Sequence, residues 1–376
     1  IKTEKEFEKL KILILGGSQA AKVFGESLPK VIKQCSNYGI PIKIYQLYKG
    51  NYIEWTLMEP KITNFSHADL DQSATGSVAE QTMTVAYNGV LINQGKVRDT
   101  YRINSNTLLM VATDRISAFD VILQDGIPGK GEILNKISKF WFDKTQHIIG
   151  NHFLYMANDP KINEVFASEA LIRELPADIA RQSMIVREAK RIDVECVVRG
   201  YITGSAWTEY KREGTVSGRI MPKGLVEGQK FPEPLFTPTT KAEQGHDENM
   251  SMDEVRKLVG NEVAFALETK SKEVYNFAHD YAVQKDIILA DTKMEFGFIG
   301  DNLILIDELL TPDSSRFWEA DKYVPGNSLP NYDKQLVRNW LESSGWDKES
   351  TPPNLPSNVI ENTINRYTEV YQLLSQ

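Results

Sequence analysis

Cysteine is nearly absent from this chain: Cys35 and Cys196 are the two in 376 residues, far apart and in no Cys-x-x-Cys pair. That excludes a disulfide framework and a thiolate metal site, and it points to a reducing compartment, the cytoplasm. Only five histidines are present, and His246 with Asp247 has no further partner at zinc-ligand spacing. No apolar run approaches the roughly 20 residues needed to cross a bilayer. Residues 1 to 10 are charged and mildly amphipathic, without the basic-then-apolar pattern of a signal peptide. An excess of positive charge is missing too. Lys and Arg number 43 against 51 Asp and Glu, a net charge of -8, which argues against nucleic acid as a partner while leaving room for local cation clusters that hold phosphates. Internal repeats and low-complexity tracts are likewise absent.

What is there is an ordinary globular composition, 41% hydrophobic and 25% charged, on a chain long enough for two or three packed units. Lys11-Ile-Leu-Ile-Leu-Gly-Gly predicts a buried strand entering a glycine turn. Val23, Phe24, Leu28, Val31 and Ile32 predict a helix over 20–35, and a second strand follows at 40–47. Residues 51–82 have weaker periodicity and a polar stretch at 66–81, so residues 1–82 read as a partial α/β segment, appended and non-catalytic. Gly16-Gly17-Ser18-Gln19 and the helix after it resemble part of the peptidoglycan-precursor N-acetylglucosaminyltransferase, with Ala20 where that family has Gly. The pattern also suits an aminoimidazole carboxylase domain, although no Ser-Asp pair follows the glycines.

Met83 stands ahead of a new pattern and reads as the start of an independent enzyme. Short apolar runs at 108–112, 121–123, 184–187 and 194–199 predict a mainly antiparallel lobe over 83–197. In the following lobe, 198–376, Ser251 and Glu254 have capping-box spacing, and Val263, Leu267, Val274, Phe277 and Tyr281 form a helical stripe. A last amphipathic helix carries Val359, Ile360, Ile364, Tyr367, Val370, Tyr371 and Leu374.

Four segments carry candidate chemistry. In the strand from Ile287, side-chain alternation puts Asp291, Lys293 and Glu295 on one face, with Met294 and Phe296 on the other. A three-residue loop Gly300-Asp301-Asn302 would pair Ile299 with Leu303 and set Glu295 opposite Asp307, two carboxylates whose repulsion a magnesium ion would relieve. The turn Thr311-Pro-Asp-Ser-Ser-Arg then brings Asp313, Ser315 and Arg316 close behind. The second segment is Gln94-Gly-Lys-Val-Arg. Its Lys96 and Arg98 on one strand face would suit a polyphosphate, but it is no Walker A loop: Gly89 and Gly95 are one residue too far apart, and Val97 replaces the hydroxyl residue. The third, Glu195 to Trp207, ends a strand at Arg199 and opens a helix at Gly204-Ser205, donors suited to an anion. Phe236 to Glu248, the fourth, is a polar loop holding Lys241, His246 and Asp247.

Together with Ala112-Thr-Asp-Arg-Ile-Ser-Ala-Phe-Asp120, these segments closely resemble the phosphoribosylaminoimidazole-succinocarboxamide synthase (SAICAR synthetase) family over 83–376. The resemblance implies an α+β, two-lobed ATP-binding fold with mainly antiparallel sheets and C-terminal helices. It implies ATP-dependent ligation of L-aspartate to the carboxylate of carboxyaminoimidazole ribonucleotide through an acyl phosphate, with Mg²⁺, in a monomer or small homo-oligomer. By position it implies that Gly95, Lys96 and Arg98 line the ATP phosphates, that backbone at Lys190, Arg191 and Ile192 receives adenine, and that Glu295 and Asp307 hold the metal. Arg199, Ser205 and Arg316 would clamp the ribonucleotide phosphate, with Glu195, Asp291 and Ser315 also binding substrate. Lys293, Lys241, Asp120 and Asp247 would face the reacting carboxylate and the amine. Asp193 stands where many relatives have Pro, which bears on the hinge but on no implied site side chain. A kinase reading lacks the His-Arg-Asp and Asp-Phe-Gly motifs, and a non-catalytic binder would not concentrate so many charges between Lys293 and Arg316.

Overall fold

The structure, a computed structural model, describes residues 10–14, 42–48, 51–57 and 90–376, apart from 120, 174, 242–247, 328, 330 and 333. The chain divides into two compact units. One is Ile1–Ile92 with Tyr101–Ile103 and Asn163–Leu175; the other is Asn93–Thr100, Asn104–Ile162 and Pro176–Gln376.

In the first unit, β1 (Leu10–Ile14) and β2 (Ile42–Tyr48) are parallel neighbours, Leu10 opposite Ile42, at the two expected strand positions. The expected helix and glycine turn between them lie outside the described residues. A third strand, β3 (Asn51–Leu57), runs antiparallel to β2 with Tyr48 opposite Asn51, where only weak periodicity was expected. Its Tyr52, Ile53, Trp55 and Thr56 favour extended backbone, and the two residues between β2 and β3 are a hairpin-length connection.

β4 (Val90–Gln94), β5 (Arg98–Asn104), β6 (Thr107–Ala112), β9 (Phe153–Met156) and β10 (Ser183–Arg187) form a sheet of order β4-β5-β6-β10-β9. A separate hairpin, β7 (Arg115–Ala118) with β8 (Val121–Gly126), precedes helix α1 (Lys130–Thr145). A seven-stranded sheet follows the order β11 (Lys190–Arg191), β17 (Ile287–Ile299), β12 (Val194–Tyr201), β15 (Lys230–Phe236). β16 (Thr239–Thr240) lies on β12, and β18 (Asn302–Ile306) and β19 (Ser315–Glu319) lie on β17. The small hairpin β13 (Thr215–Val216) and β14 (Arg219–Ile220) follows helix α2 (Gly204–Glu213). Every ladder of the seven-stranded sheet is antiparallel, so the α+β expectation holds.

Strand β17 is the spine. Its 13 residues pair β12 and β19 along the first half and β11 and β18 along the second. Leu289, Met294 and Phe296 pack with Cys196 and Val198 of β12 into the main core, under helix α4 (Asn261–Val283) and its Leu267, Val274 and Tyr275. Ahead of α4, helix α3 (Met252–Val259) starts with the expected capping box: Glu254 N–H donates to Ser251 Oγ, and the Glu254 carboxylate accepts from the Ser251 backbone. After α5 (Gln335–Ser343), the last helix α6 (Ser357–Ser375) buries Tyr367, Val370 and Leu374 and packs on α1.

The spine hairpin is one residue tighter than expected. Ile299 pairs with Asn302, leaving Gly300 (φ 58) and Asp301 as a two-residue turn, and Glu295 falls opposite Ile306 rather than Asp307. A glycine free to take left-handed backbone lets the shorter connection form. Asp307 thus lies just past the ladder.

Candidate active site

The register Val197 to Lys293 and Arg199 to Asp291 aligns two alternating rows, Glu195 and Arg199 on β12 with Asp291, Lys293 and Glu295 on β17. Glu195 is the centre. Its Oε1 accepts from Lys293 Nζ at 2.8 Å and from Lys241 Nζ at 3.0 Å, and Lys241 also ion-pairs with Glu295. Burial works to raise the Glu195 carboxyl, yet the two ammonium groups hold it below the usual range. Glu195 Oε2 is buried and has no hydrogen-bond partner among the described residues. Burial, then the nearby charge of Asp307, push Glu295 up to about 7, so the two proposed metal carboxylates are electrostatic neighbours despite the shifted register.

Asp307 has left-handed backbone (φ 62). Arg98 Nη1 donates to its Oδ1 at 2.5 Å, Arg98 Nη2 donates to Glu308 Oε2 at 3.0 Å, and His152 Nε2 lies 3.1 Å from its carbonyl oxygen. Burial would raise the Asp307 carboxyl, but Arg98 and then Lys241 overcome it and keep it ionised. The expectation that Lys96 and Arg98 share a strand face is corrected. Lys96 lies exposed in the turn before β5, and Arg98 is buried at the first residue of that strand. The turn is tight: Gly95 N donates to Arg98 O at 2.8 Å, and a Cβ on Gly95 would stand 2.9 Å from that oxygen.

Arg115, which the sequence reading did not single out, holds this turn. It donates to Lys96 O and Gly95 O at 3.2 and 3.1 Å and grips Asp99 with both terminal nitrogens at 3.0 and 2.6 Å. Its one signal was the Ala112–Asp120 segment, where nothing separates a fork of this kind from an exposed cation.

At the other end, Arg199 donates to Thr237 Oγ1 at 3.0 Å, Asp291 Oδ2 at 3.1 Å and Ser205 Oγ at 3.2 Å, and Arg316 Nη1 meets the same Asp291 oxygen at 2.5 Å. Ser315 Oγ lies 2.8 Å from Thr292 Oγ1. An open cleft of about 590 Å³ touches Ser205, Glu209, Arg212 and Asn249 beside this group. Gly204, at φ 57, is in direct contact with Arg316, and a Cβ there would fall 2.4 Å from Nη2. We expect Gly204→Ala to push the guanidinium aside and raise the KM for whatever anion Arg316 binds by on the order of tenfold, the worth of one charge-assisted hydrogen bond. An unchanged KM would show that Arg316 contacts no ligand.

Backbone at 190–192 pairs with β17, Lys190 opposite Phe298 and Ile192 N on Phe296 O at 2.9 Å, while Arg191 Nε donates to the unexpected Asp193 at 2.8 Å. Asp120 and Asp247 lie outside the described residues. Asp313 does not stand behind the carboxylates as expected; it turns toward Lys130 and Tyr367.

The donor set fits a hard cation held in part by substrate. Glu295 and Asp307 offer two carboxylates, and no group of three Asp, Glu, His or Cys side chains suited to a metal occurs among the described residues. Magnesium takes one or two carboxylates and completes its shell with phosphate and water.

Two buried groups here titrate in opposite senses. Burial lowers His152 to about 4, so its contribution to stability is complete above 6.5 and is lost as pH falls toward 4. Glu295, raised to about 7, contributes stability below 4.5 that is lost as pH rises through 7. The two offset each other between pH 4.5 and 6.5. Urea midpoints of Glu295→Gln should therefore fall more steeply than those of the wild type on acidification from pH 7 to 5, and equal slopes would refute the opposition.

The chain matches the family described as SAICAR synthetase over residues 91–353. It is 50% identical over 285 residues to the phosphoribosylaminoimidazole-succinocarboxamide synthase of Thermodesulfovibrio yellowstonii, covering 76% of this chain and 95% of that protein. The solved SAICAR synthase of Saccharomyces cerevisiae in complex with SAICAR is 42% identical, with a TM-score of 0.67 over 76% of this chain and 94% of that one. A SAICAR synthetase solved with ADP, 24% identical, shares the fold with a TM-score of 0.55 over 75% of this chain and 97% of that one.

Proposed function

The chain belongs to the SAICAR synthetase family, and on that premise we propose how its residues divide the family's reaction among them. The enzyme is a carbon–nitrogen ligase of purine biosynthesis. ATP phosphorylates the carboxylate of carboxyaminoimidazole ribonucleotide, and the amine of L-aspartate displaces the phosphate, giving SAICAR, ADP and phosphate. A carboxylate is a poor acylating agent, so the phosphoryl transfer comes first, and that step depends on positioning and charge neutralisation rather than on a protein nucleophile. Cys196 fits this division: it is buried in the core, and burial pushes its thiol up to about 12.

The observation that carries the reading is the convergence of Lys241, Lys293, Glu195 and Glu295 between the Arg98–Asp307 pair and the Arg199–Asp291–Arg316 group. In this reading Gly95 and Lys96 present the turn to the ATP phosphates, and backbone at Lys190, Arg191 and Ile192 receives adenine. Arg98 acts through Asp307. Glu295 and Asp307 are the residues that would hold Mg²⁺, whose chemistry there is neutralisation of phosphate charge. Arg199, Ser205 and Arg316 clamp the ribonucleotide phosphate, with Asp291 and Ser315 ordering the clamp. Lys293 and Lys241, oriented by Glu195, face the carboxylate being activated, and Asp120 and Asp247 face the amine.

Residues 1–82 are an appendage outside this chemistry, ahead of lobes at 83–197 and 198–376. A variant beginning at Met83 should match the full chain in turnover, and a large loss would assign the leading segment a part in folding or assembly. The enzyme works in the cytoplasm as a monomer or small homo-oligomer. The deciding assay supplies ATP and the ribonucleotide with and without L-aspartate and follows SAICAR and ADP. Aspartate-dependent formation of both is expected, and ADP released at the same rate without the amine, with no SAICAR, would refute the ligase reading.

A further inference from the structure

Residues 307–314 join the two ends of this site, Asp307 at one and Ser315-Arg316 just beyond the other. Their backbone is strained: Asp307 (φ 62) and Leu310 (φ 52) both hold left-handed conformations, and Leu310 and Thr311 are fully buried. Non-glycine residues keep such conformations only where the surroundings over-determine them. Inside the segment, Thr311 Oγ1 donates to Glu308 Oε2 at 2.6 Å and accepts from Asp313 N at 3.2 Å, while Ser314 N donates to Thr311 O at 3.0 Å. Outside it, Asp313 accepts three side chains: Lys130 Nζ of α1 at 3.0 Å, Lys334 Nζ ahead of α5 at 3.3 Å, and Tyr367 Oη of α6 at 2.9 Å. Ser314 O in turn accepts the backbone N–H of Lys293 at 2.9 Å. A shift of Asp313 would therefore be felt at Lys293 and at the start of β19.

We propose that residues 307–314 form one rigid strap spanning the site, and that Tyr367, beyond the 91–353 span of the family match, is a positioning residue for its ribonucleotide end. The proposal rests on the clamp roles given above to Arg199 and Arg316. Tyr367 acts through Asp313: its hydroxyl fixes one carboxylate oxygen while the two ammonium groups take the other. Without it the carboxylate can turn toward the lysines and carry the 311–314 turn with it.

Tyr367→Phe keeps the buried ring and removes only the hydroxyl. The KM for carboxyaminoimidazole ribonucleotide should rise about fivefold, with the KM for ATP within about twofold of wild type, in line with loss of one hydrogen bond to a charged group. Hydrogen–deuterium exchange of the 307–314 amides should quicken in the same variant. Thr311→Val, which cuts the internal brace without touching α6, should move both readouts the same way. The strap is refuted if either variant loses thermal stability while ribonucleotide KM and loop exchange stay at wild-type values. Arg316→Ala separates the two levels: an unchanged ribonucleotide KM there would overturn the clamp itself, and loop exchange in Tyr367→Phe would then decide the strap alone.

Discussion

Asp307→Asn is expected to lower turnover by on the order of 10²-fold or more, the usual scale for loss of a group that stabilises transition-state charge. The substitution keeps the side chain's size and removes its charge. It also leaves the buried Arg98 guanidinium with Glu308 as its remaining carboxylate. Part of the effect will appear as stability: Arg98 is buried but Asp307 is only half-buried, so the cost should fall below the roughly 3–5 kcal/mol typical of breaking a fully buried pair, and Glu308 reduces it further. Turnover at saturating Mg²⁺ and a temperature where the variant is folded separates the two. Near-normal turnover under those conditions would remove Asp307 from the site.

The second large effect is expected from Arg199→Met. Its guanidinium is buried and reaches Thr237, Asp291 and Ser205. Asp291 keeps Arg316 as a partner in the variant, so the fold should survive. Loss of a fixed fork for phosphate should raise the KM for the ribonucleotide by on the order of 10²-fold, with kcat falling much less. A fall in kcat at unchanged KM would place Arg199 at the chemical step and end its assignment as a clamp.

These expectations differ in how far they could be read from residues alone. Alternation along a strand needs only its period, which is why Asp291, Lys293 and Glu295 could be put on one face before any coordinates. The capping box at Ser251 and the stripe of α6 are equally local, each depending on contacts within about one helical turn. Where a turn length had to be guessed, local reasoning failed: Gly300 accepted a two-residue loop, and the ladder moved by one. Arg115 and Asp313 failed differently, because nothing in a sequence says whether a charged side chain turns toward solvent, a loop carbonyl or a helix behind it.

By itself, then, the sequence determined the strands at 108–112, 121–123, 184–187 and 194–199, the capping box at Ser251, the last helix and the residue types available for phosphate, metal and carboxylate. Each follows from periodicity or composition. Only the tertiary structure decided which charges meet. Arg98 reaches Asp307 across 209 positions and Lys293 reaches Glu195 across 98, and pairing over such separations is set by sheet register and packing, which no short window of residues contains.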